Sequence, residues 1–353
     1  MITAGPPEKI SMSKESDRKP ISDLGKYGLI DRITGMISIK NKATLLGTGD
    51  DAAAIDSDGR LTLVSTDMLL EGIQFNLVYT PLRHLGYKSV VRAVSDIYAM
   101  NGNPGQVFIS LGISSRFKVE DIDEFYDGVN LGCKNYNVDL AGGDLTTSLT
   151  GLTISVTAVG SAGHGKLIRR SGAKPNDLIC VTGDFGAAYM GLQLLERERK
   201  VFETNRSNQP ELKGYEYIIG RQLKPEFPFK ILHDLEAGSV MPTSMTDVSE
   251  GLASDLLQIC KSSGTGCRIF RDKIPVDAET AKMAEEFRID PLIAALNGGE
   301  DYELLFTIPL EDFEKIRRIG SISIIGHITQ EDYGKYLVAG EGEEIELTAQ
   351  GWK

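Results

Sequence analysis

Leu45–Ile55, LLGTGDDAAAI, is the stretch on which the fold turns. An apolar run is followed by Gly47, Gly49 and Ala52 at the G-x-G-x-x-A spacing of a dinucleotide fingerprint, whose bare amides at a helix N-terminus receive a pyrophosphate. Here Asp50 and Asp51 stand where that anion would arrive. Carboxylates repel phosphate unless a cation lies between them, so the stretch predicts a metal-bridged phosphate site and not a Rossmann loop.

Composition narrows the class. At 353 residues the chain is long for one compact domain and suits two, each with its own core. No apolar run approaches the roughly 18 residues of a membrane span, so a soluble protein is expected, with no membrane partner. Met1–Pro20 is polar and lacks the apolar h-region of a signal peptide; a disordered leader and a cytoplasmic location are expected. Cys133, Cys180, Cys260 and Cys267 form no C-x-x-C pair, and His84, His164, His233 and His327 lie far apart. That pattern argues against zinc and against a disulfide framework. The net charge of −12 is a poor match to a nucleic-acid binder, which must neutralise phosphates.

Periodicity predicts alternating helices and strands. Helices are expected over 27–34, 85–101 with Gly102 as C-terminal cap, 119–136, 187–197, and 250–262 ended by Gly264. Strands are expected over 61–65, 152–159, 177–182 and 302–308, and residues 200–215 as a surface connection. The Gly-rich, basic stretch 160–175 marks the domain boundary. The expected organisation is a leader over 1–20, an N-terminal domain over 21–163 and a C-terminal α/β domain over 164–353.

The acids fall in a pattern. Asp50-Asp51 follows a strand-like run, Asp67 closes a strand, Asp144 follows Gly142-Gly143 ahead of a turn, and Asp247 precedes a helix. Taken singly, each is better explained as a cap or turn aspartate. Together, at the strand-to-loop junctions where α/β folds build their sites, they would repel one another unless a cation sat among them. The oxygen-rich, histidine-poor set favours Mg²⁺, which completes its shell with water and substrate phosphates. No G-x-x-x-x-G-K-[ST] occurs, GHGKL at 163–167 lacks its upstream spacing and hydroxyl, and the protein-kinase signature set is absent. Any ATP must be held by another scaffold.

Eight segments, in order, resemble the thiamine-monophosphate kinase family, within the group that includes aminoimidazole ribonucleotide synthetase and selenophosphate synthetase. They are GLIDRI, GTGDDAA, STDMLLEGIQF, SDIYAMNGNP, AGGDLT, RSGAKPNDLICVTGDFG, TDVSEGL and NGGEDYELLFT, running from about residue 28 to residue 307. The resemblance implies a two-domain α/β (α+β) fold of the aminoimidazole ribonucleotide synthetase type. In that fold the N-terminal mixed sheets pair across a homodimer, and the N-terminal domain binds ATP and Mg²⁺. It implies transfer of the γ-phosphoryl group of ATP, a co-substrate, to thiamine monophosphate, giving thiamine diphosphate, with several Mg²⁺ ions. Asp51, Ser65, Thr66, Asp67, Asp96, Asp144, Asp247 and Glu250 would be metal ligands. Gly143, Asp144, Arg170 and Ser249 would contact ATP; Gln74, Glu300 and Trp352 would contact the substrate. No residue would serve as catalytic acid or base, because the acceptor is a phosphate already ionised at neutral pH.

Three positions leave the family pattern. Gln74 stands where histidine is usual, Ser249-Glu250-Gly251 where S-D-G is expected, and Ala93 where asparagine is usual, with Arg92 beside it. Arg92 and Asp96 are four apart on the polar face of their predicted helix, where an exposed i, i+4 pair is as good an account of Asp96 on sequence as a metal role. The departures motivate a rival, a catalytically silent protein that binds Mg²⁺ and nucleotide. A further rival keeps the scaffold and changes the acceptor.

Overall fold

The structure is a computed structural model and describes residues 21–204 and 210–349. Residues 21–38 belong to a small unit of their own, carrying helix α1 (Gly25–Thr34). The second unit, 39–349, holds two mixed sheets.

The first sheet contains β1 (Thr44–Leu46), β2 (Ala53–Ser57) and β3 (Arg60–Leu70), followed in the chain by helix α2 (Leu82–Ala99). Next come β4 (Asn103–Ile113), helix α3 (Val119–Tyr136), β5 (Asp139–Thr147) and β6 (Thr153–Ala162). The strand order is β1-β2-β3-β6-β4-β5, with only the β4–β5 pair parallel. Strand β6, TISVTAVGSA, alternates half-buried and buried side chains along its whole length, which is the period-two pattern of a sheet covered on one face. Val90, Val94 and Ile97 of α2 pack with Phe125, Val129 and Cys133 of α3 and with Leu63, Ile109 and Val156 of the sheet in one core.

The two helices meet backbone to backbone. A methyl group built on Gly128 would lie 1.8 Å from the Arg83 carbonyl oxygen, and one on Gly86 would lie 2.0 Å from that of Phe125. Only glycine allows this approach, and neither backbone can move without opening the core. Gly128→Ala is therefore expected to cost about 3 kcal/mol, as overpacking does, seen as a lowered urea midpoint; an unchanged midpoint would contradict the contact.

The second sheet begins with β7 (Leu178–Thr182), then helices α4 (Ala187–Thr204), α5 (Glu216–Leu223) and α6 (Lys230–Ala237). The chain continues through β8 (Ser244–Val248), α7 (Leu252–Ser263), β9 (Thr265–Phe270), α8 (Ala278–Glu286), α9 (Pro291–Asn297) and β10 (Glu303–Ile308). It closes with α10 (Phe313–Ile316), β11 (Ile322–Gln330), β12 (Lys335–Val338) and β13 (Glu344–Glu346). The order is β13-β12-β9-β11-β7-β10-β8, with β12–β9 the parallel pair. Leu252, Leu256 and Ile259 of α7 fill the core on one side of it.

Four local expectations change. Strand β3 runs on to Leu70, paired residue by residue with β6, so Asp67 lies inside a strand and not at its end. Gly142-Gly143-Asp144 lies within β5, not before a turn. Asp247, in β8, does stand just ahead of α7 as expected. The left-handed residue after α2 is Asn101, φ +56°, not Gly102, and α4 extends to Thr204 into the segment expected as a connection. Among the described residues no helix is long and apolar enough to cross a membrane, and the four cysteines are free and buried.

Candidate active site

The first sheet, α2 and strand β8 bring four carboxylates together. Ser65 and Asp67 are two apart on β3 and so share the face turned toward α2. There the Ser65 hydroxyl donates to Asp96 of α2. One turn before Asp96, Arg92 Nε donates to Asp67 Oδ1 at 2.9 Å. From β8, Asp247 Oδ2 accepts from Ser95 Oγ at 2.7 Å and Oδ1 from Ser249 Oγ at 3.3 Å. Asp51, in the turn between β1 and β2, accepts from Arg170 Nη2 at 2.6 Å and Thr246 Oγ1 at 3.0 Å. Asp51, Asp96 and Asp247 each present an oxygen within 4.8 Å of the others.

The electrostatics of this group are those of buried carboxylates that repel one another. Burial, followed by the charges of Asp67 and Asp247, raises the Asp96 carboxyl well above its usual range. Burial, followed by the charge of Asp51, pushes Asp247 up to about 7. Asp51 Oδ2 and Asp67 Oδ2 are buried with no hydrogen-bond partner among the described residues. Bare buried carboxylate oxygens are costly unless something absent from the protein chain satisfies them. An all-oxygen set of this kind fits a hard divalent cation.

The remaining site residues of the sequence reading divide. Arg170 reaches the cage, but as the cation paired to Asp51. Asp50 turns away from it and accepts from the Arg170 backbone amide at 3.1 Å, its carboxyl pushed up to about 6 by burial and then by Asp51. Glu250 follows β8, its amide donating to Asp255 Oδ2 at 3.1 Å. Gln74 Oε1 accepts from the Leu70 amide at 2.8 Å. Glu300 accepts from Lys88 Nζ at 2.5 Å. Trp352 lies outside the described residues.

Two expected ligands do not converge within this chain. Thr66 points to the other face of β3, where its hydroxyl meets Thr157 Oγ1 at 3.0 Å. Asp144 shares a register row with Ser110, Ser155 and Met68, on that same open face. It is exposed, and three strand spacings from β3 place it about 14 Å away. Gly143 has its own reason: a methyl group there would lie 1.8 Å from the Ile109 carbonyl oxygen of β4.

The exposed Arg92–Asp96 pair considered on sequence is not formed. Arg92 spans Asp67 and Glu300, and Asp96 bonds Ser65. Ser95, Thr246 and Asp255 join the site without having been singled out. Asp255 is buried, with its carboxyl raised by that burial and then by Asp247. Its only sequence signal is an acid in the first turn of α7, which is ordinary at a helix start.

Comparison with known proteins shows the family and the fold. The profile described as AIR synthase related protein, N-terminal domain, matches residues 49–162, and the corresponding C-terminal domain profile matches 174–338. The thiamine-monophosphate kinase of Bacillus subtilis (strain 168) is 31% identical over 335 residues, which is 93% of this chain and 99% of that protein. The chain belongs to the thiamine-monophosphate kinase family. The Aquifex aeolicus (strain VF5) member is 30% identical over 94% of this chain and 99% of its own length. A solved structure described as "AaThiL complexed with AMPPCP and TMP" superposes with a TM-score of 0.80 at 28% identity. It covers 96% of this chain and 99% of that one. The fold is thus the two-domain AIR synthase type expected from the motif order.

Proposed function

We propose that this chain transfers the γ-phosphoryl group of ATP to thiamine monophosphate, using several Mg²⁺ ions held by Asp51, Asp67, Asp96 and Asp247. The observation that carries the reading is the pair of bare buried oxygens, on Asp51 and Asp67, in a chain whose full-length relatives are thiamine-monophosphate kinases. The acceptor oxygen is already ionised, so the site needs no base to make a nucleophile. The obstacle is the approach of two polyanions, which at 4 Å repel by about 4 kcal/mol per unit charge pair at an effective dielectric near 20. When bound, Mg²⁺ would supply charge neutralisation and alignment of donor and acceptor.

The chain's own part is positioning. Ser65 orients Asp96 by donating to one oxygen and leaving the other free to turn inward, while Ser95 and Ser249 fix Asp247 by donating to both of its oxygens. Arg170, with its charge beside the cage, is placed to meet a nucleotide phosphate once Asp51 binds metal. Gly143 and Asp144 lie across the sheet, so their contact with nucleotide would be at a separate point or in an assembly of two chains. The assay is direct: protein, thiamine monophosphate, Mg²⁺ and ATP, with thiamine diphosphate read by chromatography. Turnover of ATP with another acceptor and none with thiamine monophosphate would refute the reading.

The first sheet supports a homodimer. Met68, Leu70 and Phe108 are exposed apolar residues on the face away from α2 and α3, and β5 is an unpaired edge exposed along its length. Both features call for a partner of the same kind. Light scattering is expected to give a dimer for the native chain and a monomer for Met68→Glu/Phe108→Asp. A monomeric native chain would rule the pairing out.

A further inference from the structure

Next to the cage, two cations of α2 converge on one acid of the second sheet. Lys88, with 4% of its side chain exposed, donates to Glu300 Oε2 at 2.5 Å and to the Gln222 carbonyl at 2.9 Å. Arg92, one turn further along, lies with Nη1 3.5 Å from Glu300 Oε1, while its Nε holds Asp67. Tyr302 OH accepts from the same Nη1 at 3.4 Å. Glu300 and Tyr302 both have left-handed backbones, φ +59° and +53°, a cost that non-glycine residues bear only where the surroundings enforce it. The turn between α9 and β10 is therefore shaped to hold Glu300 against α2. Arg92 is the one side chain in this network bonded to an acid of the cage.

We propose that Arg92 is a positioning residue that couples loading of the carboxylate cage to the stance of Glu300. Without metal, the guanidinium stands in as counter-cation for Asp67, dividing itself between that carboxylate and Glu300. Asp67 would hold a divalent cation through its bare Oδ2, and with its charge so neutralised the carboxylate would lose its grip on the guanidinium at Oδ1. Arg92 then belongs wholly to Glu300, beside Lys88. The cage and the Glu300 turn thus share a single two-position element, which is what coupling between sites requires. The inference rests on the proposed function in taking the cage as the metal site and Glu300 as lying at the substrate end.

The test uses the full chain and Mn²⁺ alone, by calorimetry and by electron paramagnetic resonance of free Mn²⁺. Arg92→Gln removes the competitor and is expected to tighten Mn²⁺ about three- to tenfold, within the usual span of site couplings. Lys88→Met removes the same charge one turn away without touching Asp67, and is expected to change Mn²⁺ affinity less than about twofold. Arg92→Lys keeps the charge and loses the span, so Mn²⁺ affinity should stay near native. The dependence of thiamine monophosphate binding on Mn²⁺ should be weaker in both Arg92 variants than in the native chain. Equal tightening in Arg92→Gln and Lys88→Met would reduce the effect to a general field and overturn the proposal, as would unchanged Mn²⁺ affinity in Arg92→Gln or undiminished coupling in Arg92→Lys. The Mn²⁺ titrations need no substrate, so failure to make thiamine diphosphate would refute the proposed function and leave this outcome readable by itself.

Discussion

Asp51→Asn is expected to lower thiamine diphosphate formation by about 10³-fold or more, the scale on which loss of a preorganised charge in a phosphoryl-transfer site is felt. The side chain is wholly buried, receives Arg170 and Thr246 on Oδ1, and has nothing on Oδ2. Asparagine reproduces the shape and can keep one oxygen toward Arg170. Its amide then points two hydrogens at the place where a cation should sit. A second effect is separable from the first. Arg170, 22% exposed, loses its charge partner, and breaking a largely buried pair at one end leaves the other uncompensated. After discounting for that exposure, a loss of about 2 kcal/mol in unfolding free energy is expected, read from urea denaturation. Activity within tenfold of native would remove Asp51 from the cage.

Much of this arrangement was legible from residue order, and the parts that were not share one cause. Helix α3 was bounded at 119–136 because Phe125, Val129 and Cys133 repeat at helical spacing, a purely local signal. Gly264 ends α7 with φ +63°, as its position after an apolar run suggests. Asp67 was misplaced to a strand end because its continuation to Leu70 is dictated by β6, about ninety residues away, which local alternation does not reveal. The double glycine before Asp144 resembles a turn, yet Gly143 is glycine because Ile109 of the neighbouring strand leaves no space for a side chain. Arg92 was misjudged for a related reason. The helical template assigns it to the polar, and therefore solvent, side of α2, but that side faces β3 and the Glu300 turn. A polar stripe on a helix clasped between two sheets is an interior feature, and only the assembled fold shows it. Ser95 and Thr246 carry no pattern in the sequence and Asp255 only that of an ordinary helix-start acid; they matter because of what stands opposite them.

Asp247→Asn separates stability from function in the opposite sense. Like Asp51, it is buried and belongs to the cage, but its hydrogen bonds come from Ser95 and Ser249 hydroxyls and no cation bonds it. Its carboxyl, ordinarily near 3.8, is pushed up to about 7 by burial and by the charge of Asp51. The native state thus holds this proton more tightly than the unfolded chain does. The stabilisation that follows is complete below about pH 4 and is lost as pH rises through about 7. Asp96 is shifted in the same direction, and Asp50, pushed up to about 6, adds to the same decline. In chelator the native protein should therefore melt at progressively lower temperature from pH 5 to pH 8. Asparagine carries no proton to lose; one serine hydroxyl can still donate to its oxygen, and the other can turn to accept from its amide. At pH 8 in chelator, Asp247→Asn should melt about 5 °C above the native chain, whereas below about pH 4 the two should nearly coincide. Adding Mg²⁺ at pH 8 should raise the native melting temperature past that of the variant, which has lost a ligand. Activity should fall about 10³-fold all the same. A variant less stable than native at pH 8 in chelator would show that Asp247 is held ionised by a partner within the chain, and the cage would need no metal to complete it. The destabilisation of the empty site is otherwise the price of its affinity for cations, since the repulsion that weakens the metal-free fold is what a divalent ion relieves.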